Sequence, residues 1–173
     1  MQAAKHSLLI SLGLATLVAL ALPAMAQVSD AAQKANDRGE IQNLVSRYVR
    51  ALDTLNADLY EGVFTEDAIF NIEGDVRNGR DEIRAIVTGL QQSRDSRSDS
   101  DSSPALYHVI VNSEIDITSE TQAHHRAYWQ TVRVDSDGAI VIGAMGIYDD
   151  QLVKQNGTWL IAERILSNFV QRQ

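Results

Sequence analysis

Residues 40–74 read EIQNLVSRYVRALDTLNADLYEGVFTEDAIFNIEG, and this stretch decides the fold of the chain. Its apolar residues recur at the spacing of one helical face, which predicts a helix over residues 37–53 with a buried stripe. Asn56 then suits the N-cap of a short second helix, over residues 57–64. Because the run at residues 68–72 is typical of a strand, the stretch predicts two helices that lead into a sheet.

The rest of the chain continues from helices to strands. Gly79-Arg80-Asp81 indicates the start of a third helix that reaches about residue 90. Residues 91–103 are rich in Ser, Asp and Arg and have no apolar face, which predicts a solvated, mobile loop. Four β-rich runs follow, at residues 106–117, 121–134, 140–153 and 158–170. Asp135-Ser136-Asp137-Gly138 and Asn156-Gly157 have the composition of hairpin turns between them. The order predicts one α+β domain, with helices on one face of a curved antiparallel sheet.

The N-terminus has the three parts of a secretory signal peptide. Lys5 precedes an apolar run at residues 8–22, and Ala24-Met25-Ala26 ends it with a small-x-small cleavage signal. The run is short for a membrane span of about 20 residues. We therefore predict a signal peptide at residues 1–26, an N-terminal extension at 27–36 and the domain at 37–170. The mature protein is expected to be periplasmic or secreted, with no stable membrane anchor.

Composition narrows the classes of function. The formal net charge is −8 and no basic stripe is evident, which argues against a nucleic-acid partner. There is no cysteine, so a thiol nucleophile is excluded. The sequence has no GxSxG, P-loop or GxGxxG motif, which argues against acyl-enzyme, ATP and NAD chemistry. The histidines after residue 26 lack HxH or HxxxH spacing, so we expect neither a metal site nor a cofactor.

Two residues are candidates for acid–base chemistry. Asp53 lies in the last turn of the predicted first helix, at the edge of its apolar stripe, where a partly buried carboxylate can serve as a base. His108 and Asn112 share one face of their strand, opposite the apolar residues Tyr107 and Val109, and can serve as a proton carrier and its polar companion. The alternatives are an exposed Asp at a turn and a half-buried structural His.

Other polar residues leave more than one interpretation open. Tyr48 lies in the middle of the apolar helix face, as a core aromatic or as a phenol that donates into a cavity. His124 and His125 are adjacent in a strand and must point to opposite faces, so at most one faces a cavity. Arg164 alternates with apolar residues of the last run, which slightly favours a place on the cavity wall.

The segments EIQNLVSRYVRALDTLNADLYEGVFTEDAIFNIEG, GRDEI, YHVIVN, AHHRAYW and NGTWLIAERIL together resemble the SnoaL-like branch of the NTF2-like superfamily. The resemblance covers nearly the whole predicted mature chain. It implies a cone-shaped, strongly curved antiparallel sheet packed against N-terminal helices, with a pocket at the wide end. It also implies a small apolar or polycyclic metabolite as ligand and a homodimer or homotrimer.

The chain is most similar to the scytalone dehydratase, bile-acid dehydratase and hexachlorocyclohexane dehydrochlorinase group. The resemblance implies that Asp53 and His108 form a dyad for proton abstraction. Asn112, His125 and Arg164 match further site residues, with His125 favoured over His124. The expected function is that of an exported lyase of the dehydratase type, without a cofactor.

One residue departs from the pattern of this group and matches a different family of enzymes. Tyr48 replaces the lysine of the dehydrochlorinase, which argues against dehalogenation, and it matches the oxyanion tyrosine of ketosteroid isomerases. The isomerase carboxylate would fall near Ile72, so an isomerase would need Glu73 as its base. The alternatives are therefore an isomerase, a ligand-binding protein without chemistry and a structural oligomerisation module.

Overall fold

The structure is a computed structural model that describes the backbone of residues 11–96 and 106–169, and side chains from residue 30 onward in those ranges. The chain divides into two units, Met1–Asp37 and Arg38–Gln173. The predicted signal peptide lies outside the described side chains, and residues 97–103 of the predicted loop lie outside the described backbone. Among the described residues, no helix has the length and apolar character needed to cross a membrane.

The first helix, α1, spans Ser11–Asp53 and so begins well before residue 37. In the first unit, Lys34 forms an ion pair with Asp30 at 3.1 Å, one helical turn away. In the second unit, the predicted apolar stripe is confirmed as part of the core, since three of its residues are at most 1% exposed. These residues are Ile41, Leu44 and Tyr48.

The second helix, α2, spans Ala57–Glu61, three residues shorter than predicted. Its predicted N-cap is confirmed, because the side-chain oxygen of Asn56 accepts a hydrogen bond from the backbone N–H of Leu59 at 3.0 Å. The third helix, α3, spans Gly79–Asp95 and continues five residues past the predicted end. The predicted mobile loop is therefore wrong for residues 91–95, which are helical.

The six strands form one mixed sheet in the order β2-β1-β6-β5-β4-β3. The strands are β1 (Phe64–Ile72), β2 (Asp75–Asn78), β3 (Tyr107–Ile117), β4 (Gln122–Val134), β5 (Ile140–Gln155) and β6 (Thr158–Asn168). All neighbours pair antiparallel except β1 and β6, which are parallel. The two predicted hairpin turns are confirmed between β4 and β5 and between β5 and β6. Strand β2 was not predicted.

A bulge in β3 decides which side chains face inward. The register with β4 shifts between Val111 and Glu114, and Asn112 between them has a left-handed φ of 55°. Before the bulge, His108 is on the inward face, and Tyr107 on the opposite face is 58% exposed. The predicted apolar face of Tyr107 and Val109 is therefore exposed before the bulge. After the bulge the alternation reverses, because one inserted residue exchanges the two faces of a strand.

Candidate active site

The structure brings Asp53 and His108 together. The imidazole Nδ1 of His108 lies 2.7 Å from Oδ1 of Asp53, and the backbone N–H of His108 donates to the same oxygen at 3.0 Å. Asp53 is the last residue of α1, and His108 is the second residue of β3. The two side chains are only 14% and 13% exposed, so the pair is largely shielded from water.

This contact fixes the role of each imidazole nitrogen. An ionised Asp53 can only accept hydrogen bonds, so Nδ1 of His108 carries a proton and donates it. In the neutral imidazole, Nε2 then has a free lone pair. The pair therefore presents Nε2 as a base, with a carboxylate behind it to stabilise a positive charge.

His108 lines a partly open cavity of about 1130 Å³ between the helices and the inner face of the sheet. Its aromatic lining consists of Tyr48, Tyr60, Phe70, Trp129 and Tyr148. Aliphatic side chains supply most of the remaining wall, and Glu73, Thr131, Arg133 and Asn168 supply polar groups. Asp53 lines a separate groove of about 470 Å³, with Arg50 and Tyr107. The pair thus spans a wall, with the imidazole on the cavity side.

Two tyrosines provide hydroxyl groups in the cavity wall. The hydroxyl oxygens of Tyr48 and Tyr148 are 3.5 Å apart, and their rings meet edge to face at 5.7 Å. Burial, reinforced by the nearby Tyr48, raises the pKa of Tyr148 well above its usual value. The Tyr148 hydroxyl therefore keeps its proton and can donate a hydrogen bond. Tyr48 packs in the core and also lines the cavity, so its place agrees with both interpretations of the sequence.

Arg164 lies beneath these tyrosines. It is fully buried, and its Nε and Nη2 donate to the two carboxylate oxygens of Asp150, each at 2.7 Å. Its guanidinium lies over the rings of Tyr48 and Tyr148, at 3.9 and 4.1 Å from their centroids. It is not among the residues that line the cavity. Asp150 thus holds the guanidinium next to the two wall tyrosines and not on the cavity wall itself.

The remaining predicted site residues also lie away from the cavity. His125 is buried and its Nδ1 lies 2.8 Å from Oδ2 of Asp150, whereas His124 on the other face lies 2.6 Å from Asp149. Neither histidine lines the cavity. Asn112 is exposed at the bulge, which turns it away from the face of His108. The structure therefore does not bring Asn112 or His125 to the cavity wall beside His108.

Three residues of this region were not predicted from the sequence: Trp129, Tyr148 and Asp150. Asp150 could have been noticed in the sequence, because a charged residue within a long β-rich run needs a partner when its side chain is buried. Trp129 and Tyr148 stack at 5.8 Å on neighbouring strands. Their inward orientation follows from the alternation of β4 and β5, but the register between the strands was needed to place them together.

The comparisons with known proteins agree with this architecture. The family model of the SnoaL-like domain matches residues 33–165. No curated protein sequence matches the chain significantly. A Mycobacterium tuberculosis protein of unknown function is 25% identical, with 82% of this chain and 76% of that chain covered and a TM-score of 0.69.

Two structures from Novosphingobium aromaticivorans share the fold. An NTF2-like protein with a cystatin-like fold is 17% identical, with 85% of this chain and 91% of that chain covered and a TM-score of 0.72. A candidate scytalone dehydratase is 22% identical, with coverages of 81% and 89% and a TM-score of 0.66. The predicted NTF2-like fold is thereby confirmed.

Proposed function

The chain belongs to the SnoaL-like domain family of the NTF2-like superfamily, and from this membership we propose that it is a small-molecule lyase of the dehydratase type. His108 is the general base, and Asp53 orients and charges its imidazole. One observation carries the proposal: the 2.7 Å contact holds Nδ1 of His108 against the Asp53 carboxylate and leaves Nε2 available as a base, in a residue that lines an aromatic cavity. The candidate scytalone dehydratase of the same fold supports the class of reaction.

The elimination uses the pair in one cycle. Nε2 of His108 removes a proton from a carbon next to a carbonyl group, and the C–H electrons form a carbon–carbon double bond. The C–O bond to a hydroxyl on the next carbon breaks, and the imidazolium returns the proton to it, so that water leaves. Asp53 remains a carboxylate and stabilises the imidazolium. General-base catalysis of this kind contributes about 10²–10⁴-fold to the rate.

The cavity supports an apolar, ring-containing substrate. Its volume of about 1130 Å³ is slightly above the range of ligand pockets, which span roughly 300–1,000 Å³, so it has room for a ring-containing molecule. Five aromatic side chains line it, and flat rings stack well on such walls. The hydroxyl groups of Tyr48 and Tyr148 would donate to the substrate carbonyl oxygen as negative charge develops there.

The alternative is a protein that binds the same kind of metabolite without chemistry, which the largely apolar lining favours. An isomerase is less supported, because the Glu73 carboxylate accepts the backbone N–H of Asn168 at 3.2 Å and its side chain is exposed. Both alternatives predict binding in the cavity. Only the lyase predicts that His108 is required for turnover, because the isomerase would use Glu73 as its base.

The decisive experiment starts from the small molecule that copurifies with the protein, identified by mass and then incubated with fresh enzyme. A panel of fused-ring β-hydroxy ketones is assayed in parallel for loss of water. We expect His108→Gln to reduce kcat by about 10²–10⁴-fold while the affinity changes little. Affinity is measured separately by calorimetry.

His124→Gln is the matched control, because His124 also forms a contact with an Asp, at 2.6 Å, but lies outside the cavity. This variant should retain the parental kcat. Tight binding without turnover in the parent would replace the lyase with the binding protein. Equal turnover by the parent and His108→Gln would show that the pair is structural.

Export and self-association complete the proposal. The features of residues 1–26 support a cleaved signal peptide and a periplasmic or secreted protein. Mass measurement of the exported form should give an N-terminus within two residues of Gln27, whereas retention of Met1 would contradict export. The outer sheet face bears exposed apolar side chains, which supports a homo-oligomer.

A further inference from the structure

A second constellation of polar side chains lies outside the cavity, on neighbouring strands. The Ser113 hydroxyl on β3 lies 3.3 Å from Nε2 of His125 on β4, and Nδ1 of His125 lies 2.8 Å from Oδ2 of Asp150 on β5. The order is hydroxyl, imidazole and carboxylate. Such a constellation is defined by geometry and not by sequence order, so the missing GxSxG motif does not argue against it.

The carboxylate is held firmly in its ionised form. Arg164 donates two hydrogen bonds of 2.7 Å to Asp150 from the side opposite His125. Burial raises the pKa of Asp150, but Arg164 and His125 outweigh it and hold that pKa below its usual value. Asp150 therefore accepts the Nδ1 proton of His125. The Nε2 lone pair is then directed at the Ser113 hydroxyl, which donates its proton to it.

The backbone makes the serine accessible. His125 and Asp150 are 0% exposed, whereas Ser113 is exposed on β3, the edge strand of the sheet. Ser113 follows Asn112, whose φ of 55° marks the bulge, and the register pairs neither residue with β4. The bulge therefore lies at the open edge of the sheet, where solvent reaches Ser113.

We propose that Ser113 is a nucleophile, activated by His125 and Asp150, toward small activated esters and fluorophosphonates. The Ser113 oxygen forms a bond to the acyl carbon as its proton passes to Nε2 of His125. The bond to the alcohol then breaks, and the alcohol leaves with that proton. Water, deprotonated by His125, hydrolyses the acyl-serine to a carboxylic acid and restores the hydroxyl. None of these residues lines the cavity, so the site is separate from the Asp53–His108 pair.

The test is incubation of the folded protein with a fluorophosphonate, followed by intact mass measurement and peptide mapping. We expect one adduct per chain, on Ser113, with release of fluoride, and no adduct on Ser113→Ala. Ser46→Ala is the matched control, since Ser46 is an exposed serine whose hydroxyl donates only to the backbone oxygen of Gln42 at 2.9 Å. That variant should be labelled like the parent. An unlabelled Ser113 in the parent would overturn the proposal.

The role of His125 is tested in two ways. His125→Gln should lose at least 100-fold in labelling rate, consistent with the roughly 10²–10⁴-fold of general-base catalysis. If this buried substitution prevents folding, Ser113→Cys serves instead, because the chain has no cysteine and the new thiol is unique.

An imidazole beside a thiol increases its thiolate fraction. The Ser113→Cys thiol should therefore react with iodoacetamide at pH 7 about 10-fold faster than that of Ser119→Cys, an exposed position of the same chain. Equal rates for the two thiols, or equal labelling of His125→Gln and the parent, would overturn the activation of Ser113 while leaving the lyase proposal unaffected.

Discussion

One carboxylate oxygen of Asp53 serves two purposes. It accepts hydrogen bonds from the backbone N–H and from the imidazole of His108, at 3.0 and 2.7 Å. The residue therefore fastens the beginning of β3 to the end of α1 and orients the proposed base. The same oxygen atom therefore has a structural role and an electrostatic role, and substitutions of Asp53 can separate the two.

Asp53→Asn should keep the fold and lose catalysis, because an amide oxygen can accept both hydrogen bonds but carries no charge. Its free energy of unfolding should stay within about 1 kcal/mol of the parent, while kcat falls. Asp53→Ala leaves both donors without their acceptor and should destabilise the protein by about 1–3 kcal/mol. Urea denaturation and initial rates check both variants. Equal destabilisation by the two would show that the charge itself stabilises the fold.

Gly146 is a second residue at which a substitution tests the structure, because its position has no room for a side chain. A Cβ at this position would lie 1.8 Å from the backbone oxygen of Ser167 and 2.9 Å from Nε1 of Trp129. Gly146→Ala should therefore destabilise the protein by about 1–3 kcal/mol, as overpacking does. Gly89→Ala is the control, since nothing lies within 4 Å of that Cβ and alanine favours a helix by about 0.5–1 kcal/mol. Thermal unfolding should shift in opposite directions, and equal shifts would refute this account.

At the scale of the elements, polar and charged residues of three neighbouring strands form one buried row. His125 on β4 pairs in register with Asp150 on β5, and Asp150 pairs with Arg164 on β6. Because Asp150 and Arg164 are both fully buried, removal of one charge leaves the other without compensation. The contacts within this row therefore stabilise the sheet only while Asp150 is ionised.

Acid should weaken this row. The pKa of Asp150 is below its value of about 3.9 in an unfolded chain, so its stabilisation is complete above about pH 4 and is lost as the pH falls through the folded-state value. Asp150→Asn should cost about 3–5 kcal/mol at pH 7 and flatten the acid dependence. Asp149→Asn, next to it but 38% exposed, should cost less than about 1 kcal/mol. Urea unfolding from pH 3 to 7 measures both, and an unchanged acid slope in Asp150→Asn would contradict the assignment.

The bulge in β3 explains why side-chain direction was predicted incorrectly in that strand. Strict alternation of side chains along the strand predicts Tyr107 and Ile115 on the same face. The inserted residue at Asn112 separates them, so that Ile115 is in the core and Tyr107 is exposed. His108 was assigned to the face opposite Tyr107, as observed, but Asn112 did not follow it. Single-strand periodicity cannot reveal a bulge, because the register depends on pairing with β4.

At the scale of the whole molecule, the sequence predicted what local patterns determine. The apolar stripe of α1 and the turns at Gly138 and Gly157 follow from helix and hairpin chemistry, and both are confirmed. Asp53 and His108 could be singled out because each is a polar residue beside a buried face. The row formed by Asp150 and Arg164 could not, since it depends on which residues oppose each other across strands.

The outer face of the sheet gives the last prediction, that the protein self-associates. Tyr107 is 58% exposed and Tyr128 44% exposed, and the Tyr128 ring meets that of Phe169 at 5.7 Å. Exposed apolar side chains that form a continuous patch favour an interface between proteins. Sedimentation at micromolar concentration should therefore show a dimer or trimer.

Two substitutions on that face test whether it is the interface. Val109→Lys combined with Tyr128→Lys places two cations within the patch, and burying them unpaired would be costly, so this variant should sediment as a monomer. Leu59→Lys is the matched control, since Leu59 is 48% exposed but lies on α2, and it should leave the oligomer intact. A monomeric parent would refute self-association. An oligomer that survives the double substitution would place the interface on another surface.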